Sequence, residues 1–397
     1  MSERWSRLAD LAVHGANVQR GQIVAVSAAH GQAELARAVA EAAYRRGAKF
    51  VELGYYDPYG KRARVRHADP DTLDFVPSWY GERLLELGDN LAARISLAGV
   101  STPNLFEDLD PALVGKDRLP WLKEVSKLIA DRSTNWSIVP CPHVEWAKLV
   151  YPDLPEDEAY ERLWREVEYV LRFDADDPNA AWDERMEALK DSADRLTGRR
   201  FDAIELNGPG TRLRVGLFSS GQWHAADFER RDGLRHLPNL PSEEVFTTPD
   251  PERTEGTVTS TKPLVLRDGT IIRGLRVRFE GGSAVEVEAD EGGAALRSQL
   301  DVDAEARRLG ELALVDNEGR IGPLGTIFYD TLLDENAASH IAFGSGFPFL
   351  VGDEHASRVN ESDTHLDFMI GSPELDVDGI TLDGERVSIL RGGSWQI

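Results

Sequence analysis

Apolar and polar positions switch between strand-like and helix-like periods over the first 60 residues. Residues 21–26 form a short apolar run, and residues 35–43 then repeat leucine, alanine and valine at helical spacing. Gly47 follows as the predicted helix C-cap, and residues 50–53 form a second apolar run. A strand–helix–strand unit of this kind predicts a parallel sheet covered by helices.

The turn after the first predicted strand reads Ser-Ala-Ala-His-Gly at residues 27–31. It has neither the glycine fingerprint of dinucleotide-binding proteins nor the Gly-Lys-Ser/Thr sequence of a phosphate loop. We therefore reject a nucleotide-binding function for this half of the chain.

The pattern changes in the middle of the chain. Charged stretches at residues 156–171 and 179–196 predict two helices. Beyond residue 201, turn residues separate short strand-like runs at 203–206, 212–217, 258–259, 271–277 and 284–288. Helical patterns return at residues 303–310 and around 335–343. The pattern predicts an α/β N-terminal domain with a parallel sheet at residues 1–195 and a β-rich, α+β C-terminal domain at residues 196–397.

Composition narrows the classes of partner. The 397 residues carry a formal net charge of -24, with 41% hydrophobic and 29% charged residues. So acidic a chain repels nucleic acid and anionic membranes, and we expect neither as a partner. No apolar run reaches the length of a membrane span, and the first residues carry no signal-peptide pattern. The single cysteine, Cys141, excludes an intrachain disulfide and a cysteine-based zinc site, which suits a cytoplasmic location.

The stretch Thr-His-Leu-Asp-Phe-Met-Ile-Gly at residues 364–371 carries the clearest chemistry. Alternate residues of a strand face the same side, so His365 and Asp367 point one way. An imidazole beside a carboxylate is a ligand pair for a divalent metal, although it also occurs as a hydrogen-bonded structural pair. Glu244, Glu311 and His340 in the same half of the chain add weight to the metal interpretation.

The three additional candidates have different settings. Glu243 and Glu244 are adjacent on an extended segment, so at most one of them reaches a given site, and a solvated acidic pair is the simpler interpretation. Glu311 lies at the start of an apolar strand, as either a surface terminus or a site residue. His340 follows a stretch that indicates a helix, with Asn336 one turn back and placed to orient the imidazole.

Together these side chains offer three carboxylates and two imidazoles. That number exceeds what one tetrahedral zinc ion needs. It suits two divalent ions about 3.5–4 Å apart, bridged by a carboxylate and a water.

Several segments resemble the thermophilic aminopeptidase family, which includes aminopeptidase T and aminopeptidase S. The strongest are Pro-Ser-Glu-Glu-Val-Phe-Thr at 241–247, Leu-Gly-Glu-Leu-Ala-Leu-Val at 309–315, Asp-Glu-Asn-Ala-Ala-Ser-His at 334–340 and His-Leu-Asp-Phe-Met-Ile-Gly at 365–371. Segments 134–140, 201–211 and 256–264 are also similar to the family, so the likeness covers nearly the whole chain in the expected order.

This resemblance implies a cytoplasmic, homodimeric metallo-aminopeptidase with an α/β N-terminal domain and a C-terminal metal-binding domain. It implies a peptide or small amide substrate and two divalent ions, Zn, Co or Mn. Carried over residue by residue, the family's metal ligands are Glu244, Glu311, His340, His365 and Asp367. The resemblance thereby selects Glu244 over Glu243 and gives Glu311 the bridging position.

Two positions beyond the ligands bear on catalysis. Glu335 is a candidate general base, which would take a proton from the attacking water and pass it to the leaving amine. Phe347 occupies the position of a family tyrosine at the metal site and has no oxygen to offer, although a water held by Ser345 could substitute for it. Glu243 or Asp334 could bind the ammonium group of a substrate.

Other functions fit parts of this pattern. A divergent family member could act on another small amide, and a relative without catalytic activity is conceivable because of Phe347. A His, His, Asp set also describes a mononuclear non-haem iron site, as in ring-cleaving dioxygenases. Glu244 and Glu311 oppose that alternative, because a single iron would leave two acids crowded and unpaired. We therefore predict a dinuclear metallo-aminopeptidase.

Overall fold

The computed structural model describes residues 3–99, 102, 105–120, 122–225, 227–266 and 269–397. The chain forms two compact units. The first comprises Met1–Asp183 and Ala226–Ser242, and the second comprises Glu184–Ala225 and Glu243–Ile397. The single boundary predicted at residue 195 is simpler than this division, because the chain returns to the first unit once.

Most of the helices belong to the first half of the chain. They are α1 Glu3–Gly15, α2 Ala33–Arg45, α3 Pro58–His67, α4 Ser78–Asp89, α5 Pro111–Lys116, α6 Lys123–Ala130, α7 Val144–Val150, α8 Glu156–Val170, α9 Pro178–Arg199, α10 Gly293–Leu300, α11 Thr331–Asp334 and α12 Asp353–Ala356. Short 3-10 helices lie at Pro70–Thr72, Gly322–Leu324, Glu335–Ala337 and Pro348–Leu350. The two long helices predicted in the charged middle segment are confirmed as α8 and α9.

Strands dominate the second half. They are β1 Ile23–Ala29, β2 Phe50–Tyr56, β3 Ala93–Ala98, β4 Asn135–Pro140, β5 Ala203–Gly208, β6 Thr211–Leu217, β7 His224–Ala225, β8 Phe228–Glu229, β9 Arg235–His236, β10 Glu244–Thr247, β11 Pro249–Thr259, β12 Leu264–Val265, β13 Ile271–Ile272, β14 Arg276–Glu280, β15 Ser283–Glu288, β16 Leu309–Val315, β17 His340–Gly344, β18 His365–Met369, β19 Asp376–Ile380, β20 Arg386–Arg391 and β21 Ser394–Trp395. Among the described residues, no helix is long and apolar enough to cross a bilayer.

The first unit contains the predicted parallel sheet, with strand order β2-β1-β3-β4. Helix α2 connects β1 to β2, which confirms the strand–helix–strand unit. Gly47 ends this helix with a φ of 94°, where its N–H donates to Tyr44 and the next N–H donates to Ala43. This pair of bonds satisfies carbonyls that the helix leaves free, and glycine adopts the positive φ without strain.

The second unit contains two larger antiparallel sheets. One has eight strands in the order β15-β14-β11-β6-β5-β19-β20-β21, and the other has five in the order β18-β17-β16-β10-β7. The ring of Phe279 in the larger sheet stacks on Phe343 of the smaller one at 5.8 Å, and Phe343 stacks on Phe368 at 5.0 Å. These buried rings fix one face of the five-stranded sheet against the core.

Two helix predictions in the second half are wrong. Residues 303–310 form turns that lead into β16, and His340 begins strand β17 instead of continuing a helix. Strand β17 pairs on both sides, with β16 and with β18, and its five residues are all buried. Sheet pairing and burial of β17 therefore override the helical preference that the alanines before His340 give this segment.

Candidate metal centre

The five-stranded sheet separates apolar from ligand side chains by strand alternation. In the register of β16, β17 and β18, Glu311 lies opposite Ala342, which lies opposite Asp367. Gly344 lies opposite His365 in the same pairing. Directly paired residues share a face, so the predicted ligands on these strands project to one side. The other side carries the residues that pack into the core.

The first cluster joins the ends of two strands to the middle of a third. Glu244 is the first residue of β10, His340 is the first residue of β17, and Glu311 lies within β16 between them. One potential ligand atom from each lies within 4.8 Å of the others, and all three residues are buried. Glu244 Oε2 is 3.1 Å from His340 Nε2, and Glu311 Oε1 is 4.0 Å from the same nitrogen.

The second cluster uses the other oxygen of the same glutamate. Glu311 Oε2 lies 3.1 Å from His365 Nε2, and Asp367 Oδ1 lies 3.3 Å from that nitrogen. Glu311 is thus the one member common to both clusters found among the described residues. A carboxylate with one oxygen directed at each cluster has the arrangement of a bridge between two ions.

Hydrogen bonds to the backbone orient both imidazoles. His340 Nδ1 lies 3.2 Å from the Ala338 carbonyl oxygen, and His365 Nδ1 lies 2.8 Å from the Ser345 carbonyl oxygen. A ring that donates from Nδ1 to a carbonyl keeps Nε2 free for a metal. In both histidines Nε2 is the atom that faces the carboxylates.

The donor set fits divalent cations. Glu244 Oε2 is buried and accepts no hydrogen bond of good geometry among the described residues, and its nearest positive group is the imidazole of His340, 3.1 Å away. A buried carboxylate oxygen in this setting is costly unless a cation satisfies it. Carboxylates with imidazole nitrogens are ligands that Zn, Co and Mn accept.

The raised pKa values of His340 and His365 show that the carboxylates give the two clusters an excess of negative charge. Burial lowers the pKa of His340, but the carboxylates of Glu244, Glu311 and Asp367 outweigh it and raise the pKa to about 10. Burial also acts against the charged form of His365, yet its carboxylate neighbours hold its pKa well above the ordinary value. Both imidazoles therefore hold protons that compensate the acids, and divalent ions would displace those protons on binding.

Glu335 is placed within the electrostatic reach of the clusters. It lies in the 3-10 helix just before the extended residue Ala338 and is buried. Burial raises its pKa well above the ordinary value, and the charges of Asp367 and Glu244 add to that effect. An acid with a raised pKa beside a metal site has the property that a general acid/base needs.

Neither acid suggested for ammonium binding is free to act in that way. Glu243 is fully buried and accepts a hydrogen bond of 2.6 Å from Arg185 Nε. The carboxylate of Asp334 is buried and accepts the backbone N–H groups of Phe328 and Asp330. Both acids are therefore held by partners within the protein, and the extended backbone turns Glu243 away from its neighbour Glu244.

Asn336 and Arg185 support the site in ways that sequence spacing does not indicate. Asn336 does not orient His340, as the sequence had indicated, because its carbonyl accepts the Glu243 N–H at 2.6 Å and its amide nitrogen is 3.4 Å from Glu335 Oε1. It therefore connects the segment of one ligand to the candidate base. Arg185 of α9 joins Glu243 to Asp316, whose Oδ1 it reaches at 2.9 Å.

Phe347 lies beside the second cluster. Its ring is 5.7 Å from the ring of His365 and is half-buried. The hydroxyl of Ser345 donates to the carbonyl of Ser362 at 2.9 Å, so it is engaged elsewhere and does not substitute for the missing oxygen. The position predicted to correspond to the family tyrosine thus presents an apolar ring to His365.

Comparison with known proteins places these features in a family. The sequence pattern of the thermophilic metalloprotease family (M29) matches residues 1–395. The chain is 42% identical to aminopeptidase T of Thermus thermophilus, with 98% of each chain covered, and 37% identical to aminopeptidase 2 of Geobacillus stearothermophilus, with 99% and 98% covered. The solved structure of wild-type AmpT from Thermus thermophilus superposes with a TM-score of 0.90 at 41% identity, covering 99% of both chains.

Proposed function

The chain belongs to the thermophilic metalloprotease family (M29) and is a metal-dependent aminopeptidase, and we propose that Glu244, Glu311, His340, His365 and Asp367 hold its two divalent ions. The shared position of Glu311 carries this proposal, because its two oxygens face different clusters. Neither the dioxygenase alternative nor a different small-amide substrate gains support, since the matched relatives are named aminopeptidases.

Different residues of the site would have different roles in amide hydrolysis. Two bound divalent ions would polarise the carbonyl and lower the pKa of an attacking water. Glu335 is the residue that would take a proton during the attack and return it to the leaving amine, and burial with the neighbouring acids raises its pKa while no cation is bound. Asn336 positions Glu335, and the backbone carbonyls of Ala338 and Ser345 keep both imidazoles in one orientation.

The metal assignment is tested by stoichiometry. We expect two ions per chain after loading with Zn, Co or Mn, and about one after His365→Ala or Asp367→Ala, because the second cluster then lacks ligands. Metal analysis after gel filtration measures this, with His67→Ala as a control outside both clusters. Ion positions more than about 5 Å from the five side chains would overturn the assignment, since ligand distances are about 2.0–2.3 Å.

Phe347→Tyr tests the departure from the family pattern. The ring already lies beside His365, so a hydroxyl on it would be close enough to the proposed metal site to donate a hydrogen bond to a substrate bound there. We expect turnover of simple aminoacyl substrates to rise by roughly tenfold, below the full effect of an oxyanion donor. Turnover and melting temperature of this variant are the measurements. A destabilised variant with unchanged turnover would show a buried, unpaired hydroxyl at a position that catalysis does not use.

Domain roles, assembly and location extend this proposal. The first unit, Met1–Asp183 with Ala226–Ser242, is the α/β domain, and the second unit, Glu184–Ala225 with Glu243–Ile397, is the metal-binding domain. The protein forms a homodimer. Phe75 and Trp79 of the first unit are exposed, and the apolar surface that they offer for subunit contact supports this assembly.

The protein acts in the cytoplasm, where a reduced thiol such as that of Cys141 persists.

A further inference from the structure

A continuous wall of aromatic rings runs from the second metal cluster to the surface of the second unit. The ring of Phe347 packs near three other rings. The distances between ring centroids are 5.7 Å to His365, 5.3 Å to Phe246 and 5.7 Å to Phe349. His224 completes the group, 6.0 Å from Phe246 and 6.2 Å from Phe349. We call Phe246, Phe347, Phe349 and His224 the aromatic wall.

The strands place this wall on the ligand side of the sheet. Phe246 is paired with Ala313, and Ala313 is paired with His340, so the three residues share one face. Phe246 therefore stands in the same row as a ligand, two residues along β10 from Glu244. The wall borders the metal clusters instead of belonging to the core beneath them.

The exposed fraction of the side chains increases from Phe246, which lies in the sheet, through Phe347 to Phe349. Phe246 is 3% exposed, Phe347 is half-buried, and Phe349 is 37% exposed. A single exposed ring is common on protein surfaces, whereas adjoining rings that run from a buried site to the surface form a continuous apolar patch. Phe347 and His365 are both partly exposed, with 26% of the His365 side chain accessible, so apolar surface is accessible next to a proposed ligand.

We propose that the aromatic wall receives the side chain of the substrate's N-terminal residue, so that the enzyme prefers large apolar and above all aromatic N-terminal residues. The inference rests on the proposed function, because the scissile carbonyl must lie at the two clusters. The first side chain of the peptide branches from the carbon next to that carbonyl, so it lies within a few ångströms of His365 and of the ring on it. Phe246, Phe347 and Phe349 carry no charge that could match an acidic or basic side chain, whereas aromatic rings attract one another at such spacings.

A panel of aminoacyl p-nitroanilides tests the preference on the metal-loaded, full-length protein. We expect kcat/KM for the phenylalanyl and leucyl substrates to exceed that for the alanyl, arginyl and glutamyl substrates by about tenfold or more, the range that burial of apolar groups in a pocket gives. Calorimetric titration with L-phenylalanine and L-alanine gives a second readout that does not depend on turnover. L-Phenylalanine should bind at least about tenfold more tightly.

Variants at Phe349 assign the preference to the wall. Phe349→Ala should lower the ratio of phenylalanyl to alanyl kcat/KM by about tenfold, and Phe349→Leu should retain most of it. Phe349→Asp should shift the ratio towards the arginyl substrate, since it places a carboxylate where the apolar ring was. Leu382→Ala is the matched control, because Leu382 is a 78% exposed apolar residue of the same unit, and its ratios should equal those of the wild type.

The outcomes separate the inference from the proposed function. No hydrolysis of any substrate by the loaded wild type would contradict the proposed function itself. Hydrolysis of all five substrates at similar rates, or an unchanged ratio in Phe349→Ala, would overturn the role of the aromatic wall and leave the metal assignment intact.

Discussion

Glu311→Gln is expected to abolish aminopeptidase activity while leaving the fold intact. The side chain directs Oε1 towards His340 and Oε2 towards His365, so among the described residues it is the one group placed to serve both proposed ions. An amide keeps the shape but offers one neutral oxygen, which cannot replace an anionic bridge. We expect turnover to fall by about a thousandfold or more, as it does when one member of a group that acts as a unit is lost.

The measurements are turnover at saturating metal, metal content and melting temperature. Removing a buried negative charge should leave the metal-free protein at least as stable, because burial raises the pKa of Glu311 and thus disfavours its ionised form. Glu361→Gln, at an exposed position of the second unit, is the control and should retain wild-type turnover. Near-normal turnover of Glu311→Gln with two bound ions would show that Glu311 is not the bridge.

Local patterns were sufficient to predict the parallel sheet and the two long helices. In residues 23–56, apolar runs, helical spacing and a glycine C-cap all indicated one structure, and β1, α2 and β2 form it. The run at residues 271–277 was predicted as one strand but divides into β13 and the start of β14, with Gly274 at a φ of 59° between them. Such breaks depend on one backbone angle, which the apolar pattern of the segment does not reveal.

The site could be predicted only as a list of ligands. Alternation placed His365 and Asp367 on one face, and the structure brings Glu244, Glu311 and His340 to them. Local sequence patterns do not reveal the role of Arg185, because this residue is 58 positions from Glu243 and 131 positions from Asp316. Its position in α9 gives no local sign of a buried role, since long charged helices are usually solvated.

Arg185→Met is therefore expected to cause a large loss of stability although Arg185 is not itself a proposed ligand. The guanidinium group and both carboxylates are almost wholly buried, with side-chain exposures of 8%, 0% and 2% for Arg185, Glu243 and Asp316. Removing the cation leaves two buried acids without compensation. The free energy of unfolding should fall by about 3–5 kcal/mol, the usual effect of breaking a buried ion pair from one side.

The same substitution should weaken metal binding, because Glu243 immediately precedes the ligand Glu244 and its carboxylate is fixed by Arg185. We expect metal affinity to fall by roughly 10–100-fold, as for other groups that support ligands. Denaturant unfolding and metal titration measure the two effects, and Arg195→Met on the exposed side of α9 should change stability by less than about 0.5 kcal/mol. Combining Arg185→Met with Glu243→Gln and Asp316→Asn removes the buried charges together and should recover much of the stability. If the triple variant is no more stable than Arg185→Met, this region is stabilised by packing of the arginine stem and not by charge compensation.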